Sequence, residues 1–117
     1  MAAILYGIPN CDTVKKARTW LDSRHITYTF HDFKKAGLDR ATIDSWLRHT
    51  DWESLVNRKG TTWRGLDDAR KTAIVDAQSA TELMLESPSV IKRPVLVLDS
   101  GTHVGFSADR FQQLFKE

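Results

Sequence analysis

The sequence predicts an α/β fold: a mixed four-stranded sheet laid out as β-α-β, then a helical insert, then β-β-α. Three observations carry this. The short apolar run "AILYG" (residues 3 to 7) leads into a helical pattern and then into a β-branched, aromatic run, "ITYTFHDF" (26 to 33). The middle third holds short helical patterns, two of them opened by a capping residue. The last third returns to strand character with "PVLVLD" (94 to 99), a turn, and "THVGF" (102 to 106).

Each element has its own reason. Residues 3 to 7 read as a short buried strand. Residues 12 to 24 read as a helix, because Val14, Ala17 and Leu21 recur at helical spacing with Trp20 beside them, while Lys15, Lys16, Arg18 and Asp22 point elsewhere. Residues 26 to 33 form the second strand and complete a βαβ unit. Asp39 caps a helix carrying Ile43, Trp46 and Leu47, with Leu38 and Ile43 spaced for a hydrophobic staple. Residues 52 to 57 read as a helical turn, and 57 to 66, "NRKGTTWRGL", as a polar loop. Residues 67 to 77 read as a helix. "SATE" (79 to 82) reads as a capping box opening a further helix that Pro88 closes. The apolar run 94 to 99 is expected as a central strand. Asp99-Ser100-Gly101 turns it into its hairpin partner, and Ser107 caps a last helix with Phe111, Leu114 and Phe115 on one face. Periodicity alone supports mixed α/β. The element order, with a proline opening the third strand, is a thioredoxin-like layout with helices inserted between the second and third strands.

At 117 residues the chain suits a single domain, 1 to 117, with the helical insertion at about 38 to 90. A charged content of 27% and a net charge of +2, with both signs interspersed, argue against a nucleic-acid partner. No apolar run is long enough to span a membrane, and "MAAILYGIPNC" lacks the basic start of a signal peptide. One cysteine makes neither an internal disulfide nor a structural zinc site. His25, His31, His49 and His103 lack ligand spacing, so no metal is expected. The expected setting is the cytoplasm, where a lone thiol stays reduced, and the expected form is a monomer.

The solitary Cys11 lies in "GIPNCDT" (7 to 13), after a strand and at a helix start. Helix N-termini carry unpaired N–H groups and about half a positive charge, which favours a thiolate. Pro9 blocks helix before it, and Asn10 or Cys11 itself falls at the cap. Lys15 and Lys16 oppose the helix dipole, which makes better sense if an anion docks nearby; Asp12 acts in the opposite direction. The competing reading is an inert, buried small side chain. Val14 stands where a C-x-x-C motif has its second cysteine, so any redox cycle borrows its second sulfur from another molecule, most simply glutathione.

"LYGIPNCDTVKKARTWL" and "IKRPVLV" (91 to 97) resemble the ArsC-like family, which includes glutaredoxin-linked arsenate reductases and Spx-type regulators. The closest resemblance is to its YffB branch, marked by N-C-D-T-x-K-K-A. It extends through "HVGF" to the last helix. The resemblance implies a thioredoxin-like fold with a helical insert and a nucleophilic cysteine at Cys11. It also implies three arginines around an oxyanion. Arg58 in "NRKG" and Arg93 in "IKRP" match the first two, whereas Phe106 occupies the place of the third. A phenyl ring cannot replace arginine's paired hydrogen bonds, which counts against arsenate reduction. Pro94 is implied to be cis, presenting backbone groups to an extended peptide such as glutathione.

The function expected from these readings is a glutathione-dependent thiol-disulfide oxidoreductase. Cys11, Arg58 and Arg93 are its catalytic group, and Asn10, Lys15 and Pro94 contact substrate. Glutathione is co-substrate, glutaredoxin a candidate partner, and no tightly bound cofactor is expected. Two alternatives stand beside it: arsenate reduction with two arginines, and an Spx-like regulatory module presenting helices 67 to 88. Trp63 is a candidate pocket wall, and Arg64 has only its nearness to the loop in its favour.

Overall fold

The computed structural model describes residues 3–116. In chain order it forms β1 (Ile4–Gly7), α1 (Asp12–Ser23), β2 (Thr29–Asp32), α2 (Arg40–Leu47), α3 (Trp52–Leu55), α4 (Thr61–Arg64), α5 (Asp68–Ala73) and α6 (Ala77–Glu86). A 3-10 turn, Pro88–Val90, follows, and then β3 (Val95–Leu98), β4 (Gly101–Val104) and α7 (Ala108–Leu114). The chain divides into two compact units, Lys34–Lys92 and the segments on either side of it.

The first unit holds the sheet, in the order β2-β1-β3-β4. β1 runs parallel to β2, with Ile4 opposite Thr29, and antiparallel to β3, with Leu5 opposite Leu96. β3 is therefore interior, as its unbroken apolar run implies, and it pairs antiparallel with β4 around the two-residue turn Asp99-Ser100. This is the expected β-α-β, β-β-α order with a mixed four-stranded sheet. The core of the unit joins Leu5, Leu96 and Leu98 from the sheet to Ala17, Trp20 and Leu21 of α1 and Phe111 of α7. Leu5, Leu21 and Leu96 are fully buried, and each contributes about 1.5–3 kcal/mol of apolar transfer. Trp20 and Phe111 meet edge to face, with centroids 5.6 Å apart.

The second strand is shorter than the predicted 26 to 33. β1 offers only four residues to pair with, and the chain first turns at His25, where φ is +57° and Ile26 N–H donates to Leu21 C=O at 3.0 Å. Ile26 and Tyr28 pack against the core from outside the ladder.

The second unit is a set of short helices, four of them opened by aspartates. Asp39, Asp51, Asp67 and Asp76 accept hydrogen bonds from the backbone N–H groups of Thr42, Ser54, Arg70 and Ser79 respectively. Trp46, Ile43, Leu55, Leu83 and Met84 are fully buried. A bridge between Val56 and Ile91, with Lys92 N–H donating to Leu55 C=O at 2.7 Å, ties the end of the unit to its middle.

Three sequence expectations change here. The polar stretch 57 to 66 contains α4, a single turn closed by bonds such as Gly65 N–H to Thr61 C=O at 2.9 Å, too short to show a periodicity. The helix expected over 67 to 77 stops at Ala73, because Ile74 turns extended and buries its side chain. Ser79 is not the cap of the next helix. Asp76 caps it, and the Ser79 hydroxyl accepts from the Asp76 N–H at 3.2 Å, so the capping box lies three residues earlier.

Candidate active site

The site begins where β1 meets α1. A Cβ built on Gly7 would lie 2.8 Å from Val14 Cγ2, so only glycine lets the strand end press this closely on the helix start. The chain then turns, and Cys11 N–H donates to Ile8 C=O at 3.4 Å. Cys11 is the N-cap of α1: its backbone is extended and its carbonyl accepts from Lys15 N–H at 2.9 Å. The thiol is partly exposed, unlike the sealed core cysteine of the inert reading.

Burial pushes the Cys11 thiol pKa up, but other groups outweigh it and hold the pKa below the ordinary cysteine value. They are the Val14 N–H, a hydrogen bond from the Arg93 side chain, the Thr13 N–H, and the charge of Arg93. The two N–H groups act on the sulfur without reaching the geometry of a full capping hydrogen bond. Asp12, exposed on the first turn, is not among the groups that move it.

Arg93 reaches Cys11 from the segment that opens β3. The Arg93–Pro94 bond is cis, and Pro94 is buried. The Pro94 carbonyl accepts from Gly105 N–H at 2.8 Å, and Gly105 has φ +87°, a conformation natural to glycine. That carbonyl is therefore engaged within the unit. Cys11, Arg93 and Pro94 thus belong to one unit with Asn10 and Lys15, both exposed at the head of α1.

Arg58 lies in the other unit. It is exposed, pairs with Glu53 at 3.3 Å, and sits over the rings of Trp52 and Trp63 at 5.2 and 6.0 Å from their centroids. Arg64 is exposed in the last turn of α4. Sequence reasoning missed Glu53 and Trp52 as neighbours of Arg58. The five- and six-residue spacings to Arg58 were their only signal.

It also missed a groove in the first unit. Lys15, Lys16, Thr19, Trp20 and Ser23 of α1, with Phe106 after β4, line a cavity of about 400 Å³. The repeat 11, 15, 19, 23 along α1 was the available signal, since residues four apart share a helix face. Phe106, where the resemblance implies a third arginine, packs edge to face on Phe111 at 4.7 Å.

Among the described residues, no group of three or more His, Cys, Asp or Glu side chains is placed to hold a metal ion. No described helix is long and apolar enough to cross a membrane.

Comparison with known proteins agrees with this frame. The solved structure of the protein YFFB superposes with a TM-score of 0.90 at 50% identity, covering 96% of this chain and 97% of that one. A Brucella melitensis protein described as arsenate reductase (ArsC) related is 51% identical, with a TM-score of 0.78, over 100% of this chain and 97% of its own. The global transcriptional regulator Spx of Streptococcus pyogenes serotype M3 is 25% identical over 92% of this chain and 81% of the regulator. The sequence pattern of the ArsC family matches residues 6–114, and the chain belongs to that family.

Proposed function

We propose that the chain is a thiol-disulfide reductase that uses Cys11 as its nucleophile and glutathione as its resolving thiol. The observation that carries this reading is a partly exposed Cys11 sulfur at the head of α1 whose pKa the Arg93 side chain and the Val14 and Thr13 N–H groups hold below the ordinary value. The thiolate attacks one sulfur of a disulfide. The S–S bond breaks, a mixed disulfide forms on Cys11, and the other half leaves as a thiolate with the electron pair. Glutathione thiolate then attacks the mixed disulfide and releases Cys11. A second glutathione accounts for the remaining two-electron balance, forming glutathione disulfide. An external thiol is needed because Val14 occupies the position of a resolving cysteine.

Arg93 stabilises the thiolate and its return as leaving group. Lys15 adds attraction for an anionic partner, screened by salt. Asn10 and the Arg93–Pro94 segment contact the peptide part of glutathione; with the Pro94 carbonyl engaged by Gly105, backbone pairing falls to the Arg93 side of the bond. Arg58 enters this reading on the resemblance alone, as partner of a carboxylate or oxyanion. Glutaredoxin is the protein able to recycle the system, and the reading suits a monomer in a reducing compartment such as the cytoplasm.

A second reading is arsenate reduction, favoured by the description of the Brucella melitensis relative. Phe106 weighs against it, since it offers no hydrogen bond to an oxyanion. Regulation in the manner of the Spx relatives is a third reading, in which the chain binds a protein partner and Cys11 is dispensable.

Turnover assays with glutathione and either a small disulfide or arsenate separate the first two. Reduction of the disulfide that disappears in Cys11→Ser supports the proposal. Arsenate turnover without disulfide turnover replaces it with the second reading, and silence in both leaves the regulatory one.

A further inference from the structure

The groove on α1 has a chemistry of its own. Phe106 and the small exposed part of Trp20, a core residue with Arg24 over its ring at 4.4 Å, give it an apolar floor, and its rim carries Lys15 and Lys16, both exposed. Thr19 and Ser23 complete the lining, which holds no acidic side chain; Asp12 stands one turn before Lys15 and Lys16, outside it. A cavity of about 400 Å³ is large enough for a ring-sized group. Lys15 lies one turn, about 6 Å of helix rise, from Cys11. Cys11 is not in the lining, but as the cap of α1 it stands at the end of the helix that carries Lys15.

We propose that this groove selects the substrate: it holds the half of a disulfide that joins a flat apolar body to a carboxylate. The flat body lies against Phe106 and the exposed part of Trp20, and the carboxylate faces Lys15 and Lys16. This rests on the thiol-reductase reading and names its substrate class. Cys11 thiolate attacks the sulfur of the seated half, the S–S bond breaks, and the other half departs as thiolate with the electron pair. Glutathione thiolate then attacks the sulfur of the seated half, the bond to Cys11 breaks, and Cys11 leaves as thiolate; a second glutathione frees the half and forms glutathione disulfide.

The alternatives are weaker. The cavity beside Gly65, Asp67 and Arg70 has a mostly exposed lining with both charge signs. The Arg58 stack on Trp52 and Trp63 already has Glu53 as its counterion.

The test has two arms. In the first, 2-naphthoate and its uncharged carboxamide are titrated into the Cys11→Ser protein, followed by NMR at the Trp20 indole and the Lys15 and Lys16 amides. Naphthoate is expected to shift these signals, and the carboxamide to bind about fivefold more weakly, the scale of an exposed charge pair. Equal binding of the two, or shifts spread away from Trp20, overturns the proposal.

In the second, the wild-type protein reacts with 5,5′-dithiobis(2-nitrobenzoate) and with neutral 4,4′-dithiodipyridine. The ratio of the two rate constants is expected to fall about fivefold in Lys16→Gln, which removes a charge that only the carboxylate reagent meets, while Phe106→Ala slows both reagents. Thr19→Phe, which fills the groove from an exposed helix position, should lower the same ratio without touching the core. An unchanged ratio in a folded Thr19→Phe protein sinks the proposal. Failure of Cys11 to react with either reagent refutes the thiol reading instead, and naphthoate binding still decides the groove.

Discussion

The side chain of Arg93 acts on the sulfur of Cys11 and helps hold its pKa below the ordinary value, linking the residue before the cis proline to the cap of α1. Two segments more than eighty residues apart in sequence thereby share one electrostatic environment. A free cysteine ionises near pH 8.5; this one ionises lower, because donors and a positive charge outweigh its burial.

Removing the guanidinium tests that balance directly. Arg93→Ala is expected to raise the Cys11 pKa and slow alkylation by iodoacetamide at pH 7, by about tenfold for each unit of rise. Arg93→Lys keeps the charge but loses the planar donor geometry, so its rate should fall between the two. Identical pH–rate curves for all three proteins would remove Arg93 from the site.

The same ionisation couples to stability. Between the lowered native pKa and the unfolded value near 8.5, the unfolded chain binds the extra proton, so stability rises with pH. The contribution is complete above the unfolded pKa and vanishes as pH falls through the native one. Urea midpoints of wild type and Cys11→Ser, compared across this window, should diverge in favour of wild type as pH rises. Parallel midpoints contradict a depressed native pKa.

Gly7→Ala is expected to destabilise the chain by about 1–3 kcal/mol, since the added methyl must displace the Val14 side chain. Urea unfolding measures this, and a loss below a few tenths would show that β1 and α1 separate easily. Because Val14 also supplies an N–H to the sulfur, Cys11 alkylation in this variant should slow at neutral pH as well.

Arg58 has a different signature from Arg93. The groups that shift Cys11 all lie in its own unit, so Arg58→Ala should leave the alkylation midpoint in place while lowering glutathione-dependent turnover. Glu53→Gln should change stability by less than about 1 kcal/mol, as expected for an exposed pair. Unaltered turnover in Arg58→Ala would leave this arginine as a local partner of Glu53 and nothing more.

Phe106→Arg is expected to cost about 0.5–1.5 kcal/mol through the lost edge-to-face contact with Phe111. In exchange, arsenate should protect Cys11 from alkylation at lower concentration than in wild type. No gain in protection would mean that position 106 does not face the anion, whatever the resemblance implies.

Much of the fold was legible because its signals are local. Val14, Ala17, Trp20 and Leu21 recur at helical spacing and are the buried residues of α1. The apolar run Val95–Leu98 is the interior strand because burial on both faces tolerates no alternation. Asp39 and Ser107 cap the helices they precede. Where local signals competed, reading failed. Ser79 suits a cap as well as an N3 partner, and only the bond from the Ser79 N–H to the Asp76 carboxylate decides between them.

By itself the sequence determined that one cysteine heads a helix, that no second thiol follows it, and that α/β order surrounds it. Those properties depend on neighbours a few residues away. Only the tertiary structure decided that Arg93 reaches Cys11 and that Phe106 faces α1 across a groove. It also decided that the Pro94 carbonyl is engaged by Gly105. Each of these joins distant segments, and the sheet register that brings them together arises from collective burial rather than from any single stretch of sequence.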